Sequence, residues 1–328
     1  MSRGIARGAL RRKVIDAVRV TGSAALLLVA AGCDKPAPPP ANDTMTVAPS
    51  LPSVPDSGVA TVEMPWDSAA GPVFITSGPN ASTASIVFPA VASDTEIESG
   101  RLDASPYIGT SFDLFSNGRL VGDGMVSAVV PLEAPEECSG WPLVQLSGVR
   151  DDSASRAWAV GLVRGRALAI PYDSISGLSS ADSSRLAIDI ARIASSVPGD
   201  TVAELRGLPY QVRRAYRFPV APGVDGLIAE VWRTLNQEAN PKQEHLLLVA
   251  ERDSMTRGRF DIAYTERAAG GEETLESSEV MVIARFAPTH DVSVLLARYV
   301  GDGVIYGLLE RTAGRRWRLR WTSPYVGC

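Results

Sequence analysis

The chain has few of the residues that most often perform catalysis or bind metals. Its 328 residues include only two histidines and three cysteines, and aromatic residues make up 6%. The histidines, His245 and His290, show no zinc-type spacing with cysteine or glutamate. No G-x-S-x-G nucleophile elbow occurs after residue 33. These absences argue against a metal hydrolase, and the sequence predicts neither a metal site nor a cofactor.

The N-terminal apolar run is too short to span a bilayer as a helix. Val20–Gly32 holds thirteen residues without a charge, whereas a membrane-spanning helix needs about 20. It follows a leader with one acidic and six basic residues and ends in Ala30-Ala31-Gly32-Cys33. A basic, apolar and then small-residue order is typical of an export signal.

Ala30-Ala31-Gly32-Cys33 resembles the lipobox of bacterial lipoproteins, with Ala30 where leucine is commonest. The resemblance implies that residues 1–33 are a signal peptide ending at Cys33, which receives a diacylglycerol and becomes the mature N-terminus. The protein is then expected in the cell envelope, anchored to a membrane by lipid and facing the periplasm or the exterior. The alternative is an ordinary signal peptide with an incidental cysteine.

Residues 34–71 are predicted to be a disordered tether. Seven prolines occur in 34–56, with alanine, serine, aspartate and threonine between them. Such a segment has too few apolar groups to offset the entropy of ordering. Without the leader, 26 basic and 36 acidic residues remain, a net charge of about −10, which argues against general binding to nucleic acid.

Lipidation of Cys33 would leave one further pair of cysteines, Cys138 and Cys328. In an oxidising compartment we expect them to form a disulfide, with two buried thiols as the alternative. The bridge would close a loop of about 190 residues, for which the chain-entropy model gives at most roughly 5 kcal/mol.

The folded part is predicted to be mainly β with a minor α part. Short apolar runs separated by Gly, Asp, Asn and Ser indicate antiparallel strands. Residues 72–205 form a β-rich N-terminal module, and 206–328 form an antiparallel meander that builds a curved sheet or a partial barrel. One helix is expected at 179–197, because Leu186, Ile190 and Ile193 follow helical spacing; it would cover a sheet face.

Predicted strands fall at the following residues: 73–76, 84–88, 111–115, 119–131, 141–146, 157–163, 167–170, 226–236, 244–252, 259–267, 275–286, 292–299, 303–311 and 315–322.

Two groups of residues are candidates for a site. His290 and Asp291 in a loop could act as a general base oriented by a carboxylate, although such residues are also ordinary turn residues. A basic and aromatic cluster between the helix and the meander is the candidate binding surface, since Arg and Tyr are enriched at interfaces; a solvated connecting strand is the alternative. The cluster consists of Arg206, Tyr210, Arg213, Arg214, Tyr216 and Arg217.

A third pattern predicts ion pairs within the meander. Arg316, Arg318 and Arg320 alternate with large apolar residues, so a strand would place the three arginines on one face. The acidic residues Glu272, Glu273, Glu276 and Glu279 offer opposite charge in the same meander. We expect the two sets to pair across strands.

The sequence favours a lipid-anchored envelope protein that acts through binding or assembly with an envelope protein or polymer. A small envelope hydrolase using His290 and a structural spacer without a ligand are the alternatives. The sequence does not define the oligomeric state.

Replacing Cys33 with alanine is expected to move the protein from the membrane fraction to the soluble fraction, because the acyl chains supply the anchor. Cell fractionation with immunoblotting measures this, and Cys138→Ala is the control that should stay with the membrane. A Cys33→Ala protein that remains as membrane-bound as wild type contradicts the lipid anchor.

Overall fold

The computed structural model describes residues 71–88, 102–131, 140–150, 157–199, 202–235, 241–256, 258–271, 275–287 and 291–327. The predicted signal peptide with Cys33, the tether up to residue 70, Cys138, His290 and Cys328 lie outside these residues. The anchor, the tether and the disulfide therefore stay predictions.

The described residues contain sixteen strands and one α-helix. All strand pairs are antiparallel, which confirms a mainly β fold with a minor α part. The elements are β1 (Phe74–Ser77), β2 (Thr83–Val87), β3 (Ser111–Ser116), β4 (Arg119–Val130), β5 (Leu143–Ser147), β6 (Val160–Val163), β7 (Ala167–Ala169), β8 (Asp173–Ser174), α1 (Ser180–Ser196), β9 (Gln211–Ala221), β10 (Val224–Leu235), β11 (Lys242–Asp253), β12 (Asp261–Gly271), β13 (Ser277–Phe286), β14 (Val292–Val300), β15 (Gly303–Thr312) and β16 (Arg316–Thr322).

The first six strands close into a barrel with the order β1-β2-β5-β4-β3-β6. Its interior is filled by apolar side chains, among them Ile75, Ile86, Phe112 and Leu114, none of which is exposed. The structure thus places closure in the N-terminal half, whereas the sequence predicted a curved sheet or partial barrel for the meander. Apolar alternation identifies strands, but closure depends on the non-local pairing of β6 with both β1 and β3.

The strand β6 packs on both of its faces. Val160 and Leu162 point out of the barrel toward the later strands, while Gly161 points inward, where an added Cβ would lie 2.5 Å from Cγ1 of Ile75. The glycine therefore leaves room inside the barrel for the side chains of Ile75 and Leu114, which lie on the two strands paired with β6.

The later strands form two open five-stranded sheets. The helix-side sheet has the order β12-β11-β10-β9-β8, and the barrel-side sheet has the order β16-β15-β14-β13-β7. Apolar residues from both sheets, such as Ile228, Val249, Ile283 and Leu296, pack together between them. The other face of the barrel-side sheet packs on the outer surface of the barrel. The described fold is layered as helix, sheet, sheet and barrel.

The helix α1 covers the outer face of the helix-side sheet. Its buried residues Leu186, Ile190 and Ile193 contact the even-numbered residues of β11, including Leu246 and Leu248. Ser179 caps the helix by accepting a hydrogen bond from the backbone N–H of Asp182 at 3.2 Å. The helix predicted at 179–197, with a sheet-covering role, is confirmed.

The segment between the barrel and α1 joins both open sheets. Within it, β7 pairs with β13 of the barrel-side sheet, and β8 then pairs with β9 of the helix-side sheet. Residues 167–174 and the helix therefore contact strands that follow residue 205, and Ala60–Cys328 forms one compact unit.

Two details differ from the sequence-based expectations. The strand β9 was not predicted, because its arginines and tyrosines hide the alternation that marks a strand. Arg318 and Arg320 both pair with Glu310 on the neighbouring strand β15, and not with Glu276 or Glu279. The strands β14 and β15 separate β16 from β13, which puts Glu279 out of reach. Glu272 and Glu273 lie outside the described residues.

Among the described residues, no helix is both long and apolar enough to cross a membrane.

Gly161→Ala is expected to destabilise the protein by about 1–3 kcal/mol, because the new methyl group overpacks the barrel against Ile75 and Leu114. Urea denaturation followed by circular dichroism measures the change. Gly177→Ala is the matched control, since no atom lies within 4 Å of its added Cβ. Equal stabilities of the two variants would contradict the packing described for β6.

Candidate functional site

The predicted basic and aromatic cluster is split between the surface and the interior. Arg213, Arg214 and Tyr216 on β9 line an open groove, and Arg206 is exposed on the chain before β9. Tyr210 is a correction to the predicted surface. It is only 6% exposed, because its ring packs beneath α1 and its hydroxyl donates to Oε1 of Glu244 at 3.0 Å.

We call this groove the arginine groove. Its volume is about 790 Å³, and it lies between the β3–β4 hairpin of the barrel, the segment 172–178 and the strand β9. Its lining residues are Ser116, Asn117, Arg119, Val121, Ala157, Tyr172, Asp173, Ser174, Ile175, Ser176, Gly177, Leu178, Arg213, Arg214 and Tyr216.

One wall of the arginine groove is a tight hairpin. Asn117 and Gly118 both have positive φ, 49° and 72°, as a two-residue hairpin turn requires. An added Cβ at Gly118 would lie 2.5 Å from the ring of Tyr172. The hairpin tip therefore packs against Tyr172. The ring of Tyr172 in turn packs edge-to-face on Tyr216, with ring centroids 5.2 Å apart.

The groove opens because β8 ends after two residues. Ser174 accepts a hydrogen bond from the N–H of Ser176 at 3.4 Å, and the N–H of Leu178 bonds to the carbonyl of Ile175 at 3.3 Å. These bonds turn the chain into a 3-10 turn, which leads to α1. The chain therefore leaves the edge of β9 beyond Tyr216, and the space beside that edge becomes the groove.

The floor of the groove places two arginines over one buried carboxylate. Nη1 of Arg214 lies 3.4 Å and Nε of Arg213 3.8 Å from Oε2 of Glu230, whose side chain is 3% exposed. A register shift in the β9–β10 ladder next to Glu230 brings both arginines to it. Nη2 of Arg214 also lies 3.6 Å from Oε2 of Glu279.

The surface lining of the groove is rich in arginine. Its lining contains three arginines, Arg119, Arg213 and Arg214, and one acidic residue, Asp173. The chain carries a net charge of −5. Glu230 beneath Arg213 and Arg214, and Glu279 beside Arg214, offset part of this positive charge. The exposed parts of the three arginines are the groups available to an anionic ligand.

Below the groove, a polar cluster lies between the two sheets. Oε1 of Glu230 accepts a hydrogen bond from the N–H of Ser278 at 3.0 Å, and Nδ1 of His245 lies 3.8 Å from the same oxygen. Burial raises the pKa of Glu230, although the Ser278 N–H and the two arginines oppose this. Burial, together with the charge of Arg213, lowers the pKa of His245 to about 4. His245 is therefore neutral at pH 7.

The polar cluster continues to Arg298, which lies between two further carboxylates. Its side chain bonds to Glu266, and its Nε lies 2.5 Å from Oε1 of Glu276. Burial raises the pKa of Glu276 and lowers that of Arg298. A cavity of about 20 Å³ among Glu230, His245, Glu266 and Glu276 has room for roughly one water molecule.

A second buried carboxylate holds the helix-side sheet to the chain that precedes β9. Glu244 on β11 is fully buried. It pairs with Arg233, with Nε of Arg267 at 3.0 Å and with the hydroxyl of Tyr210. The guanidinium of Arg233 also lies 4.6 Å from the Tyr210 ring centroid. This network fixes the start of β9, and thereby the position of the groove arginines.

The catalytic prediction for His290 and Asp291 stays a prediction. His290 lies outside them, and Asp291 is described directly before β14, where its negative charge helps to raise the pKa of Arg311. The described residues contain no group of three or more His, Cys, Asp or Glu side chains that could hold a metal ion.

Sequence reasoning missed Glu230, Arg119 and Tyr172. Glu230 could have been recognised from the sequence, because it is a charged residue within the apolar strand segment Leu227–Trp232. A buried charge needs partners. The contributions of Arg119 and Tyr172 come from the packing of the barrel against the segment 172–178, which no local pattern encodes.

Comparison of the chain with protein-family models, with curated proteins and with solved structures found no match.

The lowered pKa of His245 predicts a pH-dependent loss of stability. Between pH 7 and pH 4 the unfolded state binds a proton at this histidine, with a pKa near 6.5, while the folded state resists it down to about 4. The contribution of His245 to the free energy of unfolding is present above pH 6.5 and is lost as the pH falls to 4. The loss is roughly 3 kcal/mol at most.

His245→Gln removes this titration and keeps a polar side chain of similar reach. In urea denaturation at several pH values from 7 to 4, wild type should lose more stability than the variant. The raised pKa values of Glu230 and Glu276 act in the opposite direction in both proteins, so they largely cancel in the comparison. Parallel pH profiles would contradict the buried, neutral His245.

Proposed function

We propose that this protein is a lipid-anchored cell-envelope protein that acts by binding or assembly, with the arginine groove as its binding surface. The observation that carries the proposal is a preformed groove that presents three partly exposed arginines on an acidic chain, and whose walls come from three separate parts of the fold. Ligand sites are typically concave and largely preformed.

The polar groups of the groove suit recognition of an anionic partner. Arg213 and Arg214 keep 41% and 30% of their side chains exposed while both approach Glu230. One buried carboxylate thus orients two arginines, so less conformational entropy is lost when they bind a further anion. Tyr172 and Tyr216 add aromatic contact area beside them.

The predicted localisation supports the same proposal. The resemblance of Ala30–Cys33 to a lipobox would place the mature chain at a membrane surface, and the proline-rich tether would let the folded part move beside it. Binding in the groove would then link an envelope partner to that membrane.

Charge reversal of the groove tests the proposal. Crosslinking in intact cells, followed by affinity capture of the tagged protein, should recover a specific partner from wild type. Arg213→Glu with Arg214→Glu should lower that recovery at least about tenfold, because like charges then face an acidic partner. The matched control reverses Arg185 and Arg192, two exposed arginines of α1 outside the groove.

Arg119→Glu is the second variant, because Arg119 is an exposed groove residue that forms no ion pair with Glu230. It should lower partner recovery without affecting the buried cluster. A partner recovered equally from wild type and both groove variants would contradict the groove as the binding surface. The absence of any specific partner would favour the structural-spacer alternative.

A further inference from the structure

The arginine groove contains an open strand edge. β8 pairs with β9 only at Arg217 and Tyr216. Within the described residues, no other strand pairs with the outer edge of Gln211–Ala215, and no backbone bond joins this stretch to the turn at 175–177. Arg213 and Arg214 of this stretch line the groove, and the backbone N–H and C=O groups on the outer edge of the stretch have no strand partner among the described residues.

The opposite side of the sandwich is different. There the edge strands β12 and β16 contact each other, and β16 presents exposed arginines and a register shift along its ladder. Charge and irregularity are the usual means by which an edge avoids pairing. The β9 edge shares both features, because Arg213 is exposed and the β9–β10 ladder shifts register at this residue. It differs from β16 in its position, because it is recessed between the barrel hairpin and the segment 172–178.

We infer that the arginine groove recognises an extended, acidic segment of a partner protein, which pairs as an added strand with β9 along Gln211–Ala215. The inference rests on the proposed function and specifies its mode of recognition. Strand addition obtains affinity from main-chain hydrogen bonds and specificity from pockets for alternate side chains.

The charge of the groove defines which strand fits. Arg213, Arg214 and Arg119 outnumber Asp173 among the lining residues, so acidic side chains on the guest strand are complementary to the groove. The register shift at Arg213 shortens the regular part of the edge. Backbone pairing alone is therefore weak, and the arginines exclude strands without acidic residues.

A polypeptide fits this groove better than an anionic polysaccharide. Both can pair with arginines, but only a polypeptide carries donors and acceptors at the spacing of the exposed β9 backbone. An anionic polysaccharide would use the side chains and leave the β9 backbone unpaired. The two ligands therefore differ in what happens to the amide protons of Gln211–Ala215.

The test begins with a displayed library of random peptides selected on the purified full-length protein in detergent. Peptides that also bind Arg213→Gln with Arg214→Gln are removed. Glutamine removes both positive charges and places no further carboxylate beside Glu230, and circular dichroism checks that the variant folds. We expect the retained peptides to be rich in acidic residues alternating with β-branched ones. If no peptide depends on the two arginines, the inference is overturned.

Amide hydrogen exchange by NMR then locates the retained peptides. Alternate amides within Gln211–Ala215 should exchange at least about tenfold more slowly in the complex, because each gains a hydrogen bond. N-methylation of alternate peptide residues keeps the charge and should weaken binding by at least about tenfold. Unchanged exchange in the complex, or full binding by the methylated peptide, overturns strand addition.

A parallel measurement uses polygalacturonate as an anionic polysaccharide. Its binding in the groove, with no retained peptide, would replace strand addition by polymer binding. Failure of this inference is distinct from failure of the proposed function. A cellular partner that depends on the groove arginines, yet whose peptides leave the β9 amides unprotected, would overturn only the strand pairing.

Discussion

The two open sheets depend on buried glutamates that bind across their interface. At one end, Glu230 of β10 accepts the N–H of Ser278 on β13. At the other end, Glu251 of β11 accepts hydrogen bonds from Nε of Arg311 and Nε1 of Trp317, both at 2.7 Å. Burial alone would raise the pKa of Glu251, but these bonds lower it overall. Apolar side chains packed between the sheets hold them together, and the directional bonds to buried carboxylates restrict the relative position of the sheets further. Loss of one partner would leave a buried charge, so these bonds define one arrangement of the sandwich.

The groove is a consequence of this arrangement. Glu230 is fixed between the sheets and in turn orients Arg213 and Arg214. The segment 167–174 passes from the edge of one sheet to the edge of the other but covers only part of each. Part of the β9 edge therefore stays uncovered. The barrel hairpin, which packs on Tyr172, forms the opposite wall of this uncovered space. A stabilising network and a candidate binding surface therefore share the same residues.

Much of the fold follows from local pattern. Alternating apolar residues and turn glycines identified fourteen of the sixteen strands, and the spacing of Leu186, Ile190 and Ile193 with the Ser179 cap identified α1. The missed strands are β8, which has two residues, and β9, whose polar side chains pair with buried acids and so do not alternate visibly. Barrel closure and the two-sheet layering arise from pairings distant in sequence. The candidate site was predicted only in part. Arg213 and Arg214 are recognisable as a cluster in the sequence. Their partner Glu230 and the opposing Arg119 are brought to them only by the tertiary fold.

Site-specific photo-crosslinking in intact cells tests whether the protein contacts its partner through the arginine groove. A photoreactive amino acid replaces Ser176, an exposed residue on the wall of the arginine groove, or Ile188, which is 68% exposed on α1. An adduct with a specific partner protein is expected from position 176 and none from position 188. No adduct at position 176, or the same adduct from both positions, would contradict the groove as the surface through which this protein acts.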